Sequence, residues 1–169
     1  MAAARRPNII VFVSHDTGRH ISPYGISTVR TPNAERLARE GVLFANSFCM
    51  APGCCPSRAA LFSGRSPHAV GMLGQTGAWA GFRFSAQATH ASAHFKALGY
   101  ETMLLGLAHE IAGAGCDASY FDGVGFDRLS PSRSLFASQL PGQLPGMLDA
   151  RTAPDKPFYL QIGTQETHT

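Results

Sequence analysis

Cys54 stands four residues before Arg58 in the run Cys54-Cys55-Pro56-Ser57-Arg58-Ala59-Ala60-Leu61-Phe62-Ser63-Gly64. The turn-rich lead Ala51-Pro52-Gly53-Cys54-Cys55-Pro56 predicts a short helix over Ser57 to Ser63, stopped by Gly64. A thiol at the mouth of a helix meets free N–H groups and the positive end of the dipole, both of which favour an anion. A guanidinium at i+4 faces the same spot. Nucleophile, helix end and guanidinium together suit a tetrahedral oxyanion such as sulfate or phosphate. The C-x5-R spacing of cysteine-dependent phosphatases is absent, so a thiol acting directly is the weaker reading. Taken alone, the pattern also describes a buried, inert thiol beside a capping arginine.

Three further groups of chemically capable residues follow apolar runs. His15-Asp16 comes after Asn8 to Ser14, His109-Glu110 after Glu101 to Leu105, and Thr167-His168 after Phe158 to Ile162. The first run is continuous, β-branched and aromatic, the pattern of a strand buried on both faces. In open α/β sheets ligands bind just beyond the carboxyl ends of the strands, which lifts His15 and Asp16 above ordinary surface charge, whereas His168 alone carries no such signal. A lone histidine such as His109 is otherwise as easily a satisfied structural side chain.

The elements needed to hold these groups read as alternating strand and helix. Thr31-Pro32 opens a helix that Gly41 stops, with Ala34, Leu37 and Ala38 on its apolar face. Val42 to Phe48 reads as a second strand, and Ser85 to Leu98 as a helix ended by Gly99. The stretch Pro67 to Phe84, rich in glycine and aromatics, reads as a long loop packed near a site. Residues 111–156 are poorly patterned, and the near-repeat Pro141-Gly-Gln-Leu-Pro-Gly146 marks loop. The alternation predicts an α/β fold: a mostly parallel sheet with helices on both faces.

Composition narrows the function classes. The chain has 169 residues, with 14 basic and 11 acidic side chains for a formal charge of +3. That excess is small and scattered, so neither a nucleic-acid footprint nor a polybasic membrane patch is expected. Hydrophobic residues make up 44% and charged residues 15%, which favours a core over disorder. No apolar run is long enough for a membrane span, and the run from Ile9 to Val13 is too short for a signal peptide. A cytoplasmic location is therefore the expectation. Cys49, Cys54, Cys55 and Cys116 contain no C-x-x-C pair, so neither a disulfide framework nor a zinc knuckle is suggested. The chain stops at Thr169 straight after a strand, as an N-terminal portion of a longer domain would.

On these residues the sequence resembles the sulfatases of the alkaline-phosphatase superfamily. Cys54, Pro56, Ser57, Arg58 and Gly64 fall on their cysteine signature, with Ser63 where threonine is usual. Arg6-Pro7-Asn8-Ile9-Ile10 is similar to the opening strand of that family. Thr31-Pro32-Asn33 through Leu37-Ala38-Arg39-Glu40-Gly41 to Phe44, and Gly64-Arg65-Ser66-Pro67-His68, match further motifs in the expected order. His68-Ala-Val-Gly71-Met72-Leu73-Gly74 resembles the sulfamidase-like members, which cleave N-sulfate from glucosamine, and points weakly to a glycan.

The resemblance implies that residues 1–169 are the incomplete N-terminal part of a sulfatase catalytic domain, inactive by itself. It implies metal-dependent hydrolysis of sulfate esters or N-sulfate, with Cys54 converted to formylglycine by a formylglycine-generating enzyme. The hydrated aldehyde would attack sulfur and afterwards expel sulfate. Arg58 would hold the oxyanion charge, His109 would serve as catalytic and substrate-binding residue, and His168 would contact the sulfated small molecule or glycan. Asp16, His15 and Cys54 would hold a divalent metal, calcium by the resemblance and manganese as the alternative. Two departures stand out. His15 replaces an acid of the metal pair, so either it turns away and calcium stays, or the site takes a different ion. Leu107, in Gly106-Leu107-Ala108-His109, replaces a sulfate-binding lysine. These departures keep open a phosphonate monoester or phosphodiester hydrolase of the same superfamily, and a non-catalytic fragment or pseudoenzyme.

Overall fold

The computed structural model describes residues 6–76, 81–85, 87–111, 121, 124–130 and 135–168. Cys116 and the glycine- and Trp-containing stretch 77–80 lie outside them. Strand β1 spans Ile9–Val13, and helix α1, Pro32–Glu40, follows with Pro32 in its first turn. Helix α2, Cys54–Ser63, begins at Cys54 itself rather than at Ser57. The structure then places α3 at Ala91–Ala97, β2 at Glu101–Gly106, β3 at Arg128–Leu129, α4 at Leu140–Asp149 and β4 at Phe158–Gly163. The four strands lie in the order β1-β4-β2-β3, every pair parallel.

Parallel pairing in register sorts the side chains to two faces. Met103 and Leu105 of β2 join Phe158, Leu160 and Ile162 of β4 in a buried cluster covered by Leu140, Leu144, Met147 and Leu148 of α4. On the opposite face Leu104 packs with Ala108, Ile111 and Phe121, and Phe95 of α3 stacks on Tyr159 at 4.9 Å. Helices thus cover both faces of β2 and β4, as the strand–helix alternation predicts, whereas edge strand β1, expected to be buried on both faces, leaves Ile10 and Phe12 exposed. A third cluster seats α2: Cys55 and Ala59 pack on Val70 and Met72, with Phe82 and Phe84 beside them. No helix among the described residues is long and apolar enough to cross a membrane.

Three local expectations are corrected. Val42 to Phe48 is not a strand: it has no ladder partner among the described residues, and Val42, Phe44 and Phe48 are largely exposed. The run has β propensity, but propensity needs a neighbouring edge to become a strand. The proline- and glycine-marked segment at 141–146 is helix, not loop. Pro141 lies in its first turn, where its missing N–H is free of cost. Leu140, Leu144, Met147 and Leu148 are spaced to land on one face, so burying them offsets the bond lost at Pro145. The third helix is shorter than Ser85 to Leu98. It starts only after His90, whose ring accepts a hydrogen bond from Ser92 N.

Candidate active site

Because β1, β4 and β2 are adjacent and parallel, their carboxyl ends open on one edge of the sheet. The polar residues that follow each strand are therefore gathered. His15 follows β1, His109 follows β2 and His168 follows β4. The His15 ring meets His109 edge-on at 5.0 Å between centroids and His168 at 4.3 Å. Backbone pairing locks the β1 and β4 ends together: His15 N donates to Glu166 O at 2.7 Å, and Thr167 Oγ1 donates to His15 O at 3.1 Å. Tight approach at the β2 and β4 ends demands glycine, since a Cβ on Gly163 would overlap the carbonyl of Leu107, and one on Gly106 that of Gly163. Leu107 itself is buried, so no cation stands at that position.

The helix α2 brings the second half of the site. Cys54 occupies its first turn behind Gly53, whose residue type supplies no capping side chain, so the N-terminal N–H groups remain for an anion. Cys54 Sγ lies 3.9 Å from His109 Nδ1 and donates to Gln75 Oε1 at 3.3 Å. Arg58, one turn further, is 5% exposed, and its Nη1 has no hydrogen-bond partner. Buried arginines are ordinarily paired, so this one leaves positive charge available inside the site. Asp16 stands at the rim with φ of 58°, a left-handed conformation that aspartate tolerates better than most residues. Its Oδ2 lies 3.7 Å from His168 Nε2.

Electrostatics keeps the imidazoles neutral. Burial, and then the neighbouring His15 and Arg58, pull His109 down to about 4. His15 is also lowered, by burial first and Arg58 second, against the opposing pull of Asp16. Burying a histidine disfavours its cation, and adjacent positive charge adds to that. At neutral pH both rings therefore carry one lone pair each for a proton or a metal.

The structure thus brings together all the sequence-predicted site residues: Cys54, Arg58, His109, His168, Asp16 and His15. The donor atoms of His15, Cys54 and His109 lie within 4.8 Å of one another, as do those of His15, Asp16 and His168. His15 does not turn away: it is 1% exposed at the centre of both groups, and neither of its ring nitrogens has a partner. Those donors are a poor match for calcium, which takes six to eight oxygens. They suit an ion that accepts imidazole and carboxylate.

Two contributors escape the motif reading. Gln75 accepts from both Cys54 and Cys55, the latter at 2.9 Å, and Thr76 donates to His109 O at 3.0 Å. The position of the loop was legible from its glycines and aromatics, but neither polar residue carries a spacing signal. Glu110 is the other. Fully buried, it faces His90 Nε2 at 3.5 Å and accepts from Gln161 Nε2 at 2.7 Å. Burial raises its carboxyl, but hydrogen bonding and charge from His90, with Gln161, prevail and hold it below the usual range.

Comparison with known proteins completes the description. A family model described as Sulfatase matches residues 7–169. An ulvan-active sulfatase of Formosa agariphila is 34% identical over 110 residues, which is 64% of this chain and 21% of that protein. Human steryl-sulfatase is 40% identical over 117 residues, 63% of this chain and 20% of its own length. The chain therefore spans about a fifth of each of these two relatives. Among solved structures, a protein in complex with its substrate D-glucosamine-2-N,6-O-disulfate superposes with a TM-score of 0.74 at 23% identity. That match covers 97% of this chain and 35% of the other, and shows a shared fold.

Proposed function

The chain belongs to the sulfatase family, and from that premise we propose that it carries the nucleophile half of a site hydrolysing sulfate esters or N-sulfate of a sulfated small molecule or glycan. The observation that carries the reading is the meeting of Cys54 at the head of α2 with buried Arg58 and with His109, 3.9 Å from the sulfur. Oxidised to formylglycine by a formylglycine-generating enzyme, residue 54 would supply a hydrated aldehyde as the nucleophile toward sulfur, and a divalent ion beside it would lower the proton affinity of that nucleophile.

The chain's own residues do the rest. The open end of α2 and the guanidinium of Arg58 accept the charge of the sulfate oxygens, in a site where burial strengthens both. His109 enters uncharged, so it holds a substrate oxygen through one ring N–H. The negative charge of the arriving sulfate group raises its proton affinity and lets it pass a proton to the leaving atom. His168 at the rim stands on the side from which the sulfated ligand enters. Gln75 holds the residue-54 side chain in position. Cys55, half a turn away and facing Thr76 and Gln75, is buried and its thiol is pushed up by that burial, which keeps it protonated and inert.

Two measurements test this. When the chain is produced beside a formylglycine-generating enzyme, mass spectrometry of the peptide containing Cys54 is expected to show the aldehyde. An unmodified thiol overturns the reading. In the protein that carries this chain, Cys54→Ala is expected to abolish aryl sulfate hydrolysis. Retained turnover, or an aryl phosphonate hydrolysed in preference to the aryl sulfate, assigns the site to other chemistry.

A further inference from the structure

We propose that the pocket centred on His15 binds a borderline first-row divalent ion of the zinc class in preference to calcium, with His15, Asp16 and His168 as its protein ligands. The inference deepens the reading above and rests on it only for the location of the site. It begins from a mismatch. A calcium site needs several hard oxygens, and the described donors here are two imidazoles and one carboxylate.

Three observations converge on the ion. First, His15 is 1% exposed, and neither ring nitrogen has a hydrogen-bond partner among the described residues. An unsatisfied buried imidazole is costly, and a metal is the partner that its lone pair fits best. Second, the donor atoms of His15, Asp16 and His168 already lie within 4.8 Å of one another, a span that a single ion can bridge with small side-chain movements. Third, the backbone around the donors is fixed: His15 N and O are both bonded to the segment 166–167. Ligands from the ends of two strands are thereby held in place before the ion arrives. The softness of imidazole then decides the ion, because nitrogen donors favour zinc, cobalt and their neighbours over calcium. His109 flanks the group and Arg58 lies nearby, so a hard ion would gain no additional oxygens from either.

The experiment uses the 169-residue chain with Cys54 unconverted, so that its outcome is independent of aldehyde formation. Calorimetric titration with Zn2+ alone and Ca2+ alone is expected to show one zinc site, at least about a hundredfold tighter than any calcium site. Co2+ is expected to give visible absorption of a nitrogen- and oxygen-ligated ion that excess Ca2+ does not remove. His15→Asn and His168→Asn are each expected to weaken Zn2+ by about tenfold or more. His15→Asp is expected to move the preference towards Ca2+. Circular dichroism reports whether each variant folds, and His168→Asn, at a half-exposed position, remains informative should the His15 variants fail to fold. Cys54→Ser is expected to leave Zn2+ binding in place. Equal or tighter Ca2+ binding by the unmodified sequence overturns the proposal. So does Zn2+ affinity indifferent to His168→Asn, or binding lost with Cys54→Ser, which would assign the ion to a thiolate set. An unconverted Cys54 alongside intact zinc selectivity would sink the sulfatase mechanism and leave this inference standing.

Discussion

His109 and Glu110 are consecutive residues that enter two different buried polar clusters, and the contrast between the clusters separates structure from function. On the Glu110 side each residue faces another member of the cluster, although His90 Nε2 meets Glu110 Oε1 only as an ion-pair contact, and neither it nor Glu110 Oε2 makes a hydrogen bond among the described residues. Gln161 donates to Glu110, His90 faces the same carboxylate, and the other ring nitrogen of His90 accepts from Ser92 N. Phe62, Phe84 and Phe126 close around His90. On the His109 side only His15 and Arg58 are buried to a similar degree, and among the described residues both nitrogens of His15 and Nη1 of Arg58 have neither a hydrogen bond nor an ion pair. Folding alone gains nothing from such groups, since leaving them unsatisfied costs free energy. A cluster whose members face one another ties the start of α3 and the turn after β2 to β4. A cluster left open is shaped for something that arrives from outside.

The largest effect that would test this contrast is on the closed side. Glu110→Leu removes the shared acceptor and leaves His90 and Gln161 buried without their partner. We expect a loss of about 2–4 kcal/mol, the cost of leaving the Gln161 amide and the His90 ring without their buried acceptor, read as a fall in the urea midpoint at unchanged slope. A loss below about 1 kcal/mol would mean that the cluster is not a tie and the contrast is false. Since Glu110 is the neighbour of His109 in the turn after β2 and is tied to Gln161, the same variant is expected to weaken any anion bound at Cys54.

On the open side the expected sign is different. His15→Leu removes an unpartnered imidazole for a side chain of similar volume, so the metal-free chain should change by no more than about 1 kcal/mol, with lost ring contacts offsetting the relieved desolvation. Its pH dependence is more telling. Both His15 and His109 have lowered proton affinity in the folded chain, His109 to about 4 against an ordinary 6.5. The unfolded chain therefore binds protons first as pH falls. The stability these neutral rings contribute is complete above about 6.5, and is lost progressively on descending towards 4. Thermal unfolding between pH 7 and 4 should show that decline, and His15→Leu should make it shallower. A midpoint independent of pH over that window would show that the rings are not buried as neutral groups.

The sequence carried the open cluster more legibly than the closed one. Cys54, Arg58, His109 and the ends of three strands announce themselves because anion binding and strand termini constrain residue type and spacing. Glu110 reads only as the second member of the polar pair that follows a strand, with no role of its own, and Gln161 lies inside an apolar strand. Their meeting depends on β2 and β4 being neighbours, which no local pattern encodes. The position of His15 shows the limit from the other side. The sequence left open whether it turns away from the site, and only the pairing of His15 with residues 166–167 fixes the ring inside. Helix α4 was hidden for a third reason: Pro141 and Pro145 read as breakers, although Leu140, Leu144, Met147 and Leu148 already had helical spacing.

The smallest expected effect concerns the segment whose apolar character misled the strand assignment. Val42 to Phe48 is apolar apart from Asn46 and Ser47, yet Phe48 is 88% exposed, whereas Leu160 in the middle of β4 is fully buried. Hydrophobic free energy scales with area removed from water, so the two should respond very differently to the same kind of change. Phe48→Ser is expected to shift stability by less than about 0.5 kcal/mol, as exposed substitutions do, while reducing self-association by breaking an apolar surface stretch. A matched Leu160→Ala should cost about 2–5 kcal/mol. Should Phe48→Ser destabilise the isolated chain as much as Leu160→Ala, residues 42–48 would have to be packed in solution. The strand reading would then return, and the buried sheet would have to extend beyond the four strands described.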